Sequence, residues 1–482
     1  MVEFNTTPDW VKNAVFYQIF PDRFAKSNWI EKPDNFEIWD SPPTIHGFKG
    51  GDLLGVYEKL DYLQDLGISA IYFNPIFQSA SNHRYHTHDY YLVDPLLGGN
   101  KAFKTLLNEA HKRNIRIVLD GVFNHASRGF FQFNHILETG EKSPYINWFN
   151  IYSYPLNAYQ GKPNYQCWWG APALPEFNTD NNQVRRFLFD VARYWVDQGI
   201  DGWRLDVPFD INDDDFWREF RRTVKEANPD AYIVGEIPSE AQRWMKGDMF
   251  DAVMNYQFTL ACLGFFGGQN TDFELSKGMM GFSDIKILDA EMFSKRCIEL
   301  INLYPHDFSL AQLNLLDSHD MPRFLSLVNG NKDAFLLATL FQMTYPGAPC
   351  IYYGDEIGLT GGKDPDCRKA FPWDESKWDH DLRNQIKTYI QLRHAHPALR
   401  TGDYIPLFAE SDILAFMRKD DKESLIIIIN TSATAHDIDI HMKDLLPEGT
   451  VLKDQLSDKN AMIQTNHLRD FSIPPHKGVI LV

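Results

Sequence analysis

Short apolar runs of strand length alternate with longer segments of helical period along most of this chain, and few folds accommodate that order. AVFYQIF (14–20) precedes GVYEKLDYLQDLG (55–67), SAIYFNPIF (69–77), AFKTLLNEAHKRN (102–114) and IRIVLDGVF (115–123). The pattern resumes with VRRFLFDVARYWVDQG (184–199), GWRLDVPF (202–209), DDFWREFRRTVKEAN (214–228) and YIVGEI (232–237), then DAVMNYQF (251–258), AQLNLLDS (311–318) and APCIYYGDE (348–356). A βαβα order implies a parallel sheet with helices outside it. The eight strand candidates are the number that closes a (β/α)8, or TIM, barrel.

Two stretches break the pattern. Between His125 and Thr179 lies an aromatic- and proline-rich segment, including YSYPLNAYQGKPNYQCWWGAPALPEF, with no sustained period. After Pro397 the texture changes to strand-like runs (DYIPLFAE, ILAFMRK, SLIIIIN, HDIDI, TVLKD, GVILV) separated by polar turns, which reads as a small antiparallel β domain. The predicted organisation of the 482 residues is therefore a barrel in two parts (1–124 and 179–396), an inserted loop domain after the third strand (125–178) and a C-terminal β-sandwich (397–482).

Acidic side chains outnumber basic ones 65 to 47, a net charge of −18. Nucleic acid and anionic membrane are excluded as expected partners, since a polyanion requires a basic footprint. The five cysteines form no CxxC pair and no His/Cys ligand spacing, which predicts reduced, mostly buried thiols and a reducing compartment. The N-terminus has no basic region followed by an apolar core, and no run is long enough to span a membrane, so the cytoplasm is the expected location. Aromatic residues reach 14%, many for packing, with some flat faces left that suit sugar rings.

In a barrel of this kind the C-terminal strand ends converge on one mouth. There the third strand delivers Asp120, Asn124 and His125 (DGVFNH), the fourth Arg204 and Asp206 (GWRLDV), the fifth Glu236 and the seventh His319 and Asp320 (DSHD). Arg204 and Asp206 are two apart, so on a strand they point to the same side, and a guanidinium beside a carboxylate holds it ionised. Alone, an R-x-D pair reads more readily as a structural ion pair. Several carboxylates on one rim are harder to read as structure, because like charges repel unless they have a use.

In order and spacing, DGVFNH, GWRLDV, the glutamate closing the fifth strand and LLDSHD resemble the four signature regions of the α-amylase family of glycoside hydrolases. SNHRYHTHDYYLVDP, GDMFDAVMNYQF, CIYYGDEIGLTGGKDPDCRK and LPEFNTDN are most similar to its neopullulanase, cyclomaltodextrinase and maltogenic amylase branch. The resemblance implies Asp206 as nucleophile, Glu236 as general acid and base, and Asp320 as stabiliser of an oxocarbenium-like transition state. It implies that His125 and His319 bind sugar hydroxyls, that Tyr85 stacks under the same ring, that Asp120 orients Arg204, and that Asp364 and Arg368 hold the next sugar outward. The implied reaction is retaining hydrolysis of maltodextrins, cyclodextrins and pullulan-type or branched glucans, at α-1,4 and also α-1,6 links. Such chemistry needs two carboxyls about 5 to 5.5 Å apart, one ionised and one protonated. Residually, a transglycosylase with the same covalent intermediate and a non-catalytic carbohydrate-binding protein share this fold.

Departures from the family pattern set further expectations. The β domain usual ahead of the barrel is not seen before Ala14, so the expected assembly is a monomer or a dimer unlike the family's domain-swapped one, with an open groove. Asp210 in VPFD, Ile237-Pro238-Ser239 after Glu236, and His86 are unusual at their positions. Of the family's calcium ligands Asp52 survives, but Lys26 and Ile30 stand where oxygens are needed, so no cofactor is expected and calcium is disfavoured. Trp168 and Trp169 face opposite ways if their segment is extended, leaving one free to stack a sugar.

Overall fold

The computed structural model describes residues 6–281 and 285–482. Eight parallel strands form the central sheet: β1 (Phe16–Ile19), β2 (Ala70–Phe73), β3 (Arg116–Gly121), β4 (Gly202–Leu205), β5 (Tyr232–Gly235), β6 (Ala252–Val253), β7 (Leu313–Leu315) and β8 (Ala348–Tyr352). Their order is 6-5-4-3-2-1-8-7, and a parallel bridge between Met254 and Leu313 joins the two ends into a barrel. Almost every strand residue is buried, as expected of a parallel sheet with side chains packed inside and helices outside. That double burial is why the strands read as continuous apolar runs.

The helices follow the same logic. Asn182–Asp197 buries Val184, Leu188, Val191, Ala192 and Trp195 along one stripe, and the Asn181 side chain caps it by accepting from Gln183 N. Asp214–Ala227 begins at Asp213, which accepts from the amides of Asp215 and Phe216. The predicted strand 251–258 is shorter than expected: after Val253 the chain enters a helix, Tyr256–Cys262, capped by Asn255. The segment predicted as one helix at 55–67 is two, Leu53–Glu58 and Leu60–Leu66, hinged at Lys59.

The segment following β3 contains one α-helix, Phe131–Thr139, three short 3-10 turns (Gly140–Lys142, Ile146–Trp148 and Trp168–Gly170) and otherwise irregular chain pinned by isolated bridges, His125 to Glu176 and Phe149 to Phe177 among them. Phe130, Phe133, Phe149, Tyr165 and Phe177 form its core. Beyond a helical turn at Pro397–Thr401 come β9 (Asp403–Glu410), β10 (Ile413–Lys419), β11 (Ser424–Asn430), β12 (His436–His441), β13 (Val451–Lys453), β14 (Asn460–Gln464), β15 (His467–Ile473) and β16 (Lys477–Leu481). They make two four-stranded sheets, 9-10-11-16 and 12-15-14-13. In β11 the alternation of a strand sorts an unbroken isoleucine run: Ile426 and Ile428 face the second sheet, while Leu425, Ile427 and Ile429 pack on the barrel. All five cysteines are free, four of them buried and Cys167 half-buried.

Candidate active site

Register builds the centre of the site. β3 and β4 run in parallel with Asp120 directly opposite Arg204, so the two side chains leave the same face one strand spacing apart. Arg204, wholly buried, donates through Nη1 to both oxygens of Asp120 at 2.9 Å and to Asp206 Oδ1 at 3.1 Å. Its Nη2 forms an ion pair with Glu236 Oε1, and its Nε donates to Met254 Sδ at 3.4 Å. Asp206 and Glu236 each sit one residue past a strand end, and both are buried. Glu236 also accepts at Oε2 from the Val207 amide (3.1 Å) and at Oε1 from the Tyr256 hydroxyl (3.5 Å). Val207 reaches that position with φ of 37°, a left-handed conformation costly for a β-branched residue and typical of strain kept at a working site.

The sequence suggests that Arg204 keeps Asp206 ionised; the structure corrects this, because one guanidinium serves three carboxylates. Burial pushes the Asp206 carboxyl well up, Glu236's charge adds to that, and Arg204 pulls back. Burial also raises Glu236, against Arg204 and with the help of Asp320. With one cation against three acids, both the Asp206 and the Glu236 carboxyl are raised above their ordinary range, and the two titrate as a pair.

Asp320 differs. Burial pushes it up, but His319, Arg368 and Arg204 outweigh that and hold it well below the usual carboxylate range. Arg368 Nη2 donates to Asp320 Oδ1 (2.9 Å) and Arg368 Nε to the His319 carbonyl (2.8 Å), while Asp364 pairs with Arg368 Nη1 at 3.1 Å. Arg368 therefore turns inward onto Asp320, and Asp364, nearly half exposed, stands outside it.

Tyr85 lies parallel to the His319 ring, centroids 5.5 Å apart and planes 8° apart, with its hydroxyl donating to Asp120 Oδ2 at 2.8 Å. Gln18 Nε2 approaches His319 Nδ1 at 2.9 Å, and His319 Nε2 lies 2.7 Å from the Tyr85 hydroxyl and 3.0 Å from Asp320. With Gln18 donating to Nδ1, Nε2 carries a proton, directed at Asp320 and the Tyr85 hydroxyl. Burial pulls His125 down to about 3, keeping it neutral, and its Nε2 has no hydrogen-bond partner. Its ring stacks on Trp168, centroids 5.3 Å apart. Asp120, Arg204, Asp206, Glu236, Tyr85, His319, Asp320, Arg368 and Asp364 thus form one connected cluster at the barrel mouth, while His125 meets Asn124 and Trp168 instead.

Gln18, Tyr72 (donating to Asp120 at 2.9 Å), Met254 and Tyr256 belong to the cluster too. Their sequence signal is only position, at or just beyond a barrel strand. Trp168 and Trp169 do not face opposite ways: their rings stack, 4.8 Å and 11° apart, because Trp169 turns the chain at φ of 48°.

Asp52 is surrounded by donors. It accepts from the amides of Gly55 (2.8 Å) and Ser27 (2.9 Å) and from the Ser27 hydroxyl (3.1 Å), and pairs with Lys32 Nζ at 3.1 Å. Lys26 points its ammonium at the Trp39 ring. These residues do not fit a calcium ion, which needs six or more converging oxygens. Among the described residues no group of three or more His, Cys, Asp or Glu side chains could hold a metal, and no helix is long and apolar enough to cross a membrane.

Residues 18–401 match the model of the alpha amylase catalytic domain, and 404–479 that of the neopullulanase-like C-terminal domain. A cyclomaltodextrinase from a Bacillus species is 46% identical over 433 residues, covering 89% of this chain and 74% of that protein. Among solved structures, the debranching enzyme of Nostoc punctiforme superposes with a TM-score of 0.90 at 47% identity, covering 99% of both chains. The cyclic α-maltosyl-(1→6)-maltose hydrolase of Arthrobacter globiformis does so with a TM-score of 0.87 at 37% identity, again over 99% of each.

Proposed function

The chain belongs to the alpha-amylase family of glycoside hydrolases, and we propose that it cuts α-1,4 and α-1,6 links of maltodextrins, cyclodextrins and branched glucans through a covalent intermediate on Asp206. The contact of Arg204 with Asp120, Asp206 and Glu236 together carries this reading, because it brings a nucleophile and a proton donor to one buried point.

In the first step the Asp206 carboxylate attacks the anomeric carbon while Glu236 gives its proton to the departing glycosidic oxygen. Burial and the charge of Asp320 raise Glu236 toward the protonated form that this step uses. Asp320, held ionised by Arg368 and His319, faces the positive charge that develops on the ring. In the second step Glu236 takes a proton from water, whose oxygen attacks the same carbon and frees Asp206, giving an α-anomer after two inversions. His125, His319 and Tyr85 supply hydroxyl contacts and a stacking face to the sugar being transferred, and Asp364, held by Arg368 and standing outside it, supports the next sugar outward.

The α-1,6 activity is proposed from the similarity to enzymes named for debranching and for an α-(1→6)-linked cyclic substrate. The donors around Asp52 favour a catalyst that needs no metal, and the five free thiols suit a reducing compartment, the proposed cytoplasm. The test is a substrate panel: new reducing ends from maltoheptaose, β-cyclodextrin, pullulan and a singly branched maltodextrin, with products sized. Cleavage of all four is expected. No reducing ends from maltoheptaose would overturn the reading, and products longer than the substrate as the main species would replace hydrolysis by transfer.

A further inference from the structure

Trp169 is 82% exposed and forms the outer end of a stack of three rings. His125 lies against Trp168 at 5.3 Å and 27°, and Trp168 against Trp169 at 4.8 Å and 11°. The inner end is buried with an unpartnered His125 Nε2; the outer end presents a bare indole face to solvent. The rings are fixed from two sides. Trp168 Nε1 donates to Asp210 Oδ2 at 3.0 Å, and the chain is pinned by Trp168 N to the Leu174 carbonyl (3.0 Å) and Ala171 N to the Trp168 carbonyl (2.9 Å).

This arrangement carries two costs, offset inside the protein only by the contact of one face with Trp168. Trp169 holds φ of 48° and ψ of 27°, a left-handed conformation that bulky residues rarely adopt, and its large apolar ring is left in water. Backbone strain next to a site is a mark of use. The chemistry of the feature is specific as well: a flat, rigid, exposed aromatic face suits the C–H face of a pyranose.

Its side of the groove follows from its neighbours. Asp210 lies three residues beyond Val207, whose amide holds Glu236 Oε2 at 3.1 Å, and Glu236 is the group proposed to protonate the departing oxygen. Arg368, Asp364, His319 and Tyr85 gather instead around Asp320 and Asp120. The stack therefore runs from His125, beside the transferred sugar, through Trp168, held by Asp210, outward to Trp169 on the departing side.

We propose that the outer indole face of Trp169 is a stacking platform for a glucosyl residue on the leaving-group side, and that it holds an acceptor sugar there when the glycosyl unit is transferred to a sugar instead of water. The proposal rests on the functional reading above.

The test compares two substrates that differ only on that side. α-Maltosyl fluoride releases fluoride and places no sugar against Trp169, whereas maltoheptaose does. In Trp169→Ala the ratio of kcat/KM for maltoheptaose to that for α-maltosyl fluoride is expected to fall at least tenfold, ~1.4 kcal/mol of selective transition-state binding. Trp169→Phe, which keeps a stacking ring, is expected to stay within about threefold of the wild-type ratio. A ratio in Trp169→Ala within about threefold of wild type, including a proportional loss on both substrates, overturns the platform while leaving the functional reading intact. A wild-type protein that turns over neither compound overturns both.

Discussion

Replacing Asp120 with asparagine perturbs the charge at the site without touching either group that reacts. Asp120 is 1% exposed and accepts from Arg204 Nη1 with both oxygens, while Tyr72 and Tyr85 donate to its Oδ2. An asparagine oxygen can keep the two tyrosines, but its amide nitrogen then meets Arg204, a donor facing a donor. Breaking a buried pair costs ~3–5 kcal/mol. Arg204 retains Asp206 and Glu236, which puts the expected loss at the lower end, ~3 kcal/mol, read as a lower denaturant midpoint at unchanged slope. The pH profile is the sharper readout. Asp120's charge pushes both Asp206 and Glu236 upward; removing it lowers both. Glu236 works protonated and Asp206 works ionised, so the alkaline and acid limbs of kcat/KM both move to lower pH. A folded Asp120→Asn variant whose profile stays in place, or moves to higher pH, refutes the electrostatic reasoning.

Asp206→Asn and Glu236→Gln should each lower kcat on maltooligosaccharides by several orders of magnitude in a folded protein, and retention of more than about a tenth, ~1.4 kcal/mol, would remove the residue from the mechanism. Arg418, wholly buried, donates to the carbonyls of Thr344, Leu399 and Gly402 across the junction of β10 with the barrel. Arg418→Ala leaves the Thr344 and Gly402 carbonyls without that donor at ~1–3 kcal/mol each, while Leu399 keeps Arg393 Nη1, so a stability loss of ~2 kcal/mol or more is expected with kcat per folded molecule unchanged; an unmoved unfolding midpoint would refute it. Chelation by EDTA, or millimolar calcium, should leave thermal unfolding where it is, and a chelator-induced drop of several degrees would show that a cation shares Asp52 after all.

Why these features were readable, or were not, is physical. Barrel strands buried on both faces have to be apolar throughout, so SAIYFNPIF and IRIVLDGVF stood out, and residues just beyond them, such as Asp206 and Glu236, were placed by topology alone. Lys332–Thr344 shows no helical period in the sequence because it is buried from Ala334 to Thr344 with no polar face to mark one. The hairpin of β14 and β15 carries no clear apolar run for the opposite reason: its strands are half exposed, and its turn rests on Thr465 and Asn466 at positive φ. At the site, the R-x-D spacing foretold the contact of Arg204 with Asp206 but not its contact with Glu236, which depends on how neighbouring strands are staggered. The stack of Trp168 on Trp169 needed a left-handed turn at a tryptophan, which no pattern of residue types announces.

The central claim is a glycosyl bond to Asp206. A maltosyl fluoride fluorinated at C5, which slows release of the intermediate, can be incubated with the wild-type protein, and the digested peptides weighed and fragmented. An adduct of one fluoromaltosyl unit on the peptide containing Asp206, located to that residue by fragmentation, is the expected result. The same adduct on another side chain, or turnover of the compound to a β-anomer without any adduct, would contradict the mechanism.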